Sequence, residues 1–292
     1  MLPLPMPRLD AAELFALCSS TAKTKADRAA LQVLTPDVVN AVAEYESAAE
    51  TQTLHTLKHL RHSPGGPPTG TPPKTKHAPI NRALTNGYTT RMVPEGRIGH
   101  SAYLKLRSSA PDGKCSLCGH ITAGTLDHQL PKMLYPLLAV APSNLAPACL
   151  PCNTAKGDVD PVDAEQQTLN PYFDHEAEEY TWLRARVTGP PFTATFHALP
   201  PPEMPDVLAA RAQFHFRRLK LADLYVSQVG GAVRVDCQEL KDWGRTPPEV
   251  RDHFARKAEL WSRSGGRNCW QAALYSELAT NTWFTTEDYL QV

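Results

Sequence analysis

The chain has 292 residues, 30 Lys+Arg against 30 Asp+Glu, and 42% hydrophobic residues. That length buries a core of its own, about three quarters of the unfolded surface, and the hydrophobic fraction excludes a wholly disordered chain. A net charge of zero excludes a histone-like electrostatic binder but leaves a nuclease open, because local charge is what steers a phosphate backbone.

The start, MLPLPMPRLDAAELFALCSS, lacks a basic segment followed by an unbroken apolar stretch, so no signal peptide is expected. No apolar run reaches the length of a membrane span, so none is expected either. Residues 9–59 read as helical. Thr35 as N-cap and Pro36 at the first helical position predict a helix start, with Val38, Val42 and Tyr45 on its apolar face. Residues 62–77, rich in Pro and Gly, read as a linker or exposed loop. Residues 61–114 carry nine Lys/Arg against only Glu95 and Asp112, a stretch able to cover a phosphate backbone. Arg91, Arg97, Lys105 and Arg107 are its candidate phosphate contacts. Residues 158–180 are acidic and are expected to face away from nucleic acid. Short strands are predicted at 181–189 and 193–199, and helices at 206–228, 248–263 and 268–280, with Phe214, Leu221, Leu224 and Tyr225 sharing a face of the first.

Seven cysteines are present, and four of them form Cys115-x-x-Cys118 and Cys149-x-x-Cys152 with 30 residues between the pairs. An odd total with this pairing points to a reducing, cytoplasmic setting and a metal site rather than a disulfide framework. Four thiolates make a closed tetrahedral site, the structural arrangement of zinc. Gly119 eases the turn after Cys118. His120 is an alternative ligand that four sulfurs make unnecessary.

Between the pairs lie Thr125-Leu-Asp127-His128-Gln-Leu-Pro131-Lys132 and, further on, Asn144-Leu-Ala-Pro; Asn153-Thr-Ala-Lys156-Gly157 follows the second pair. Asp127 and His128 are adjacent, so on a strand they point to opposite faces. That suits a division in which Asp127 grips an ion and His128 faces a water. A carboxylate and the amide oxygen of Asn153 are hard ligands suited to Mg²⁺, and a histidine titrating near neutrality can deprotonate water.

The pattern C-x2-C-G, L-D-H-x2-P-K, N-L-x-P-x-C-x2-C-N-x2-K-G, over residues 115–157, resembles the HNH endonucleases of the zinc-supported ββα-metal (His-Me finger) superfamily. The resemblance implies an α+β fold: a ββα-metal core with a four-cysteine zinc site, flanked by N- and C-terminal helical regions. Asp127 would be a ligand of Mg²⁺ or Mn²⁺ and His128 the general base. Asn144 would hold the histidine ring through a hydrogen bond, Asn153 would be the second ligand, and Lys156 would face phosphate. With the run through Tyr135-Pro136 and the later Asn170-Pro-Tyr-Phe-Asp174, the chain also resembles the HNH proteins of Septu-type and retron anti-phage systems. In those the later motif commonly begins with His where Asn170 stands here.

The implied organisation is a helical region (1–60), a basic Pro/Gly-containing linker and DNA-contact segment (61–100), a nuclease core (101–180) and a mostly helical C-terminal region (181–292). The expected activity is metal-dependent hydrolysis of phosphodiester bonds in double-stranded DNA, as an effector of anti-phage defence. No P-loop is present, so an ABC-type ATPase would be a separate partner. The rival readings are a non-catalytic zinc-binding nucleic-acid adaptor and a structural partner of an ATPase. A formed Asp127/His128/Asn153 cleft open to solvent would count against the structural reading, and one filled by apolar side chains would favour it.

Overall fold

In the computed structural model, residues 1–61, 79–189 and 191–286 are described, and the Pro/Gly-rich linker expected at 62–77 lies outside them. The described chain is mixed α and β and divides into two units, Pro3–Leu117 with Ile121–Asp174, and Met1–Leu2 with Cys118–His120 and His175–Val292. Among the described residues no helix is long and apolar enough to cross a membrane.

The first unit begins with three helices. Asp10 caps α1 (Ala11–Ser20) by accepting from the Glu13 amide, and Thr24 caps α2 (Lys25–Val33) by accepting from that of Asp27. Both satisfy amides that the helix itself leaves unpaired. α3 (Thr35–Glu50) starts one residue earlier than expected, with Leu34 at the cap; the Thr35 hydroxyl instead donates to the Gln32 carbonyl (3.0 Å), the preceding turn offering an acceptor within reach. Val38, Val42 and Tyr45 are buried as the spacing predicts.

After a 3₁₀ segment (Leu54–Arg61) come α4 (Pro79–Thr89) and α5 (His100–Arg107). The antiparallel hairpin β1 (Thr125–His128) and β2 (Leu145–Ala148) follows, then α6 (Leu150–Lys156). Asp127 pairs with Ala146, and His128 with Leu145. One apolar core joins the helices and the 3₁₀ segment to β1 and β2, running from Leu14, Leu31 and Val38 through Leu84 and Tyr88 to Leu126, Leu138 and Leu145.

Two basic residues of the 61–114 stretch, Arg61 and Arg91, are engaged within this unit. Arg91 is buried, and its guanidinium donates to the Ala83 carbonyl (2.6 Å). Arg61 and Lys58 both pair with Asp160, which also accepts from the Tyr135 hydroxyl (2.7 Å). Lys105 is exposed, and Arg107 lies over the Tyr103 ring at 5.6 Å.

The second unit carries the hairpin β3 (Leu183–Thr188) and β4 (Thr193–Ala198), then α7 (Asp206–Arg218), α8 (Leu221–Asp242), α9 (Pro247–Gly265), α10 (Trp270–Thr280) and α11 (Thr282–Thr286). The single helix expected over 206–228 is two. Leu219 and Leu221 are both buried, whereas a continuous helix would set them about 200° apart. The chain turns between them through Lys220 in the left-handed region, φ +53°. Thr246 and Glu249 form a capping box at α9, with Pro247 in its first turn. Asn268 ties α10 to β3: its amide oxygen accepts from Trp182 N (2.8 Å) and Leu183 N (3.1 Å).

Candidate functional site

The four cysteines come together. One Sγ from each of Cys115, Cys118, Cys149 and Cys152 lies within 4.8 Å of the other three, and all four residues are buried. A tetrahedron of Zn–S bonds ~2.3 Å long sets its sulfurs ~3.8 Å apart, so the donor set and spacing suit a structural zinc. Local chain geometry prepares the ligands. Cys115 N donates to Ile121 O (2.7 Å), closing a loop in which Gly119 has φ +67°. Cys149 caps α6, its sulfur accepting from Cys152 N (3.4 Å). The backbone and hydroxyl of Ser116 both donate to Pro147 O, tying the first pair to β2. His120 stands outside the cluster, its Nδ1 accepting from the Trp270 indole (3.2 Å).

β1 and α6 bring four of the five expected site residues close together. His128 Nε2 lies 2.9 Å from the Ala139 carbonyl. A carbonyl only accepts, so Nε2 carries the hydrogen and Nδ1 keeps the lone pair of a base. Burial, reinforced by the Lys132 ammonium, pushes the imidazole down to about 3 despite that hydrogen bond. The ring is therefore neutral at pH 7, but it titrates far below the near-neutral range expected of a base, because burial disfavours the imidazolium. Tyr88 packs its ring against the imidazole, centroids 4.5 Å apart and nearly perpendicular.

Asp127 is buried, and burial pushes its carboxyl upward, opposed by Lys156 and more weakly by Lys132. Lys156 is buried too; its ammonium sits 3.0 Å from Asp127 Oδ2 and 2.5 Å from the His128 carbonyl. The expected phosphate-facing cation is thus turned inward, because a buried ammonium needs a counter-charge and acceptors, and Asp127 and His128 supply them. Asn153 Nδ2 donates to the Leu126 carbonyl (3.3 Å), which also accepts from the Tyr88 hydroxyl (3.1 Å).

Asn144 has a different place from the one expected. Its amide oxygen accepts from Leu130 N (2.8 Å), and its nitrogen donates to Leu130 O (3.0 Å) and Leu138 O (3.2 Å). Fully buried, the amide satisfies the backbone of the loop between β1 and β2, and the imidazole takes its hydrogen bond from that loop at Ala139. Asn144 therefore acts on His128 only through the loop.

This chain is similar to Protein ea31 of Escherichia phage lambda. The two are 36% identical over 121 residues, 40% of this chain and 41% of the phage protein, so the match spans about two fifths of that protein's length. No family model and no solved structure matches the chain.

The Asn170–Asp174 motif has a structural placement. Asn170 Nδ2 donates to Tyr45 Oη (3.0 Å), Asp174 accepts from Asn170 N (2.6 Å), and the Tyr172 hydroxyl donates to Leu145 O (2.8 Å) on β2. Lys132 was legible only as part of a motif, and its seat over the Tyr88 ring was not. Tyr88 carried no signal at all, since it reaches β1 from α4, 38 residues away from Leu126 in sequence.

Proposed function

We propose that the chain is a metal-dependent HNH endonuclease acting on double-stranded DNA, with the β1–β2–α6 segment as its ββα-metal core. The observation that carries this reading is His128: a buried, neutral imidazole whose Nε2 is committed to the Ala139 carbonyl, leaving Nδ1 as the base. It stands beside a carboxylate, on a strand braced by α6 next to a four-cysteine cluster. Structural packing alone does not require that combination.

In this mechanism His128 Nδ1 takes a proton from a water. The resulting hydroxide attacks phosphorus as the P–O3′ bond breaks, and the 3′ oxygen leaves and takes a proton from solvent. The chain's own residues hold the geometry: Asn144 fixes the loop that orients the imidazole, and Tyr88 buttresses its ring. Asp127 and the amide oxygen of Asn153, hard-oxygen donors that suit Mg²⁺ or Mn²⁺, would hold the ion. When bound there, such an ion supplies charge stabilisation to the phosphate and the leaving oxygen. The Asp127–Lys156 pair must then be shared or opened, since the carboxylate faces the ammonium. The cysteine cluster carries zinc in a structural role.

Service in anti-phage defence, and an ABC-type ATPase partner, rest on the motif resemblance alone. One observation favours a second reading, a non-catalytic zinc-binding adaptor: Asp127 and Lys156 neutralise each other in the interior. Incubation with supercoiled plasmid separates the two. The nuclease reading expects nicked and linear DNA with Mg²⁺ or Mn²⁺ and none with EDTA. Binding without cleavage at any divalent ion establishes the adaptor.

A further inference from the structure

Two lysines flank the Asp127–His128 strand, and they are placed differently. Lys156 is buried, and its ammonium is spent on Asp127 Oδ2 and the His128 carbonyl. Drawing it out to meet a phosphate would leave a buried carboxylate without its counter-charge. Lys132 is half-exposed, and its ammonium lies over the Tyr88 ring, 5.5 Å from the centroid. The same Tyr88 ring packs against the imidazole of His128. The ammonium thus shares an aromatic platform with the base, and its charge acts on both His128 and Asp127. Pro131 starts the turn that carries Lys132, with Leu134 N and Tyr135 N both donating to Pro131 O (2.9 Å each), so the lysine's backbone is held. Within the basic stretch Arg61 is engaged at Asp160 and Arg91 at Ala83, whereas Arg97 and Lys105 are exposed.

We propose that Lys132 is the cation that contacts the substrate phosphate at this site, and that Lys156 is a positioning residue, the internal counter-ion that holds Asp127. The assignment rests on the nuclease reading for its substrate. A lysine seated on an aromatic face keeps most of its donors for an incoming anion, whereas a lysine sealed between a carboxylate and a carbonyl keeps few.

The test compares wild type, Lys132→Ala, Lys132→Arg and Lys156→Met in three measurements: duplex DNA binding across a salt series, single-turnover plasmid cleavage with Mg²⁺, and thermal melting. Lys132→Ala should melt as wild type does and lower the salt slope of binding by ~0.9. It should also slow cleavage by roughly a hundredfold, the scale of one lost donor to the transition state. Lys132→Arg should restore the slope. Lys156→Met should melt at lower temperature, and its folded fraction should keep the wild-type slope. An unchanged slope and rate in Lys132→Ala overturns the proposal, as does a stable Lys156→Met protein with a reduced slope. If wild type binds duplex but never cleaves it, the nuclease reading falls and the slope alone still decides Lys132. Wild type that binds no duplex overturns both.

Discussion

β3 and β4 alternate as a sheet lying on a core should: Leu183, Ala185, Val187, Ala194 and Phe196 are buried, while Arg184, Arg186, Thr193, Thr195 and His197 are exposed. β1 and β2 do not alternate. Apart from half-buried Thr125 every residue of both strands is buried, and the buried set includes Asp127 and His128. One hairpin is stabilised by apolar burial on one face alone. The other takes a carboxylate and an imidazole out of water, and adds the Lys156 ammonium from α6, at a desolvation cost that mutual pairing offsets only in part. This contrast is what makes β1–β2–α6 the candidate site.

The contrast can be broken most severely at the cysteines. Structural zinc in small sites contributes apparent free energies of ~10–16 kcal/mol, so Cys149→Ser should abolish stoichiometric zinc by elemental analysis. In hydrogen exchange the amides of β1, β2 and α6 should lose protection. One zinc per chain is expected in wild type, and a Cys149→Ser protein with undiminished protection would remove the scaffold argument.

The buried ion pair comes next in size. Asp127→Ala leaves the Lys156 ammonium buried without its counter-charge, a loss of about 3–5 kcal/mol, measurable by urea unfolding. Replacing both residues, Asp127→Ala with Lys156→Met, should recover part of it, because the paired burial is removed together.

Acid sharpens the comparison further. The His128 imidazole sits at about 3 in the folded chain, below the ~6.5 of an unfolded histidine. Above that value it is neutral in both states and adds no pH dependence. Below it the unfolded chain takes up a proton that the folded chain refuses, so stability falls as pH drops from ~6.5 toward ~3. Asp127 works in the opposite sense, its carboxyl being raised by burial, and it is present in both proteins being compared. The difference in unfolding free energy between wild type and His128→Gln should therefore change steadily across this window and be flat above it. A difference independent of pH would contradict the burial argument. The smallest effect belongs to the other hairpin, where Arg186→Ala, on the exposed face of β3, should change stability by no more than about 0.5 kcal/mol.

The sequence was most legible where one local rule decided the outcome. Alternation found β3 and β4, and the paired C-x-x-C spacing found the four-cysteine cluster. It was misleading where two burial demands met, as at Lys220, which turns the chain so that Leu219 and Leu221 are both inside. The direction of a long side chain was not legible. Lys156 stands on the helix where the motif predicts it, but no spacing reveals whether four methylenes carry the ammonium out to phosphate or back to Asp127. The Ala139 carbonyl that fixes the His128 tautomer could not be read either, since any residue type presents the same acceptor.

The central claim is that His128 is the base of a phosphodiester hydrolase, and the most direct measurement is single-turnover cleavage of supercoiled plasmid with Mg²⁺ by wild type and His128→Ala at equal zinc content. Wild type should nick the plasmid and His128→Ala should lose at least ~10²-fold in rate, with duplex binding and zinc content unchanged. Equal rates from the two proteins would contradict it.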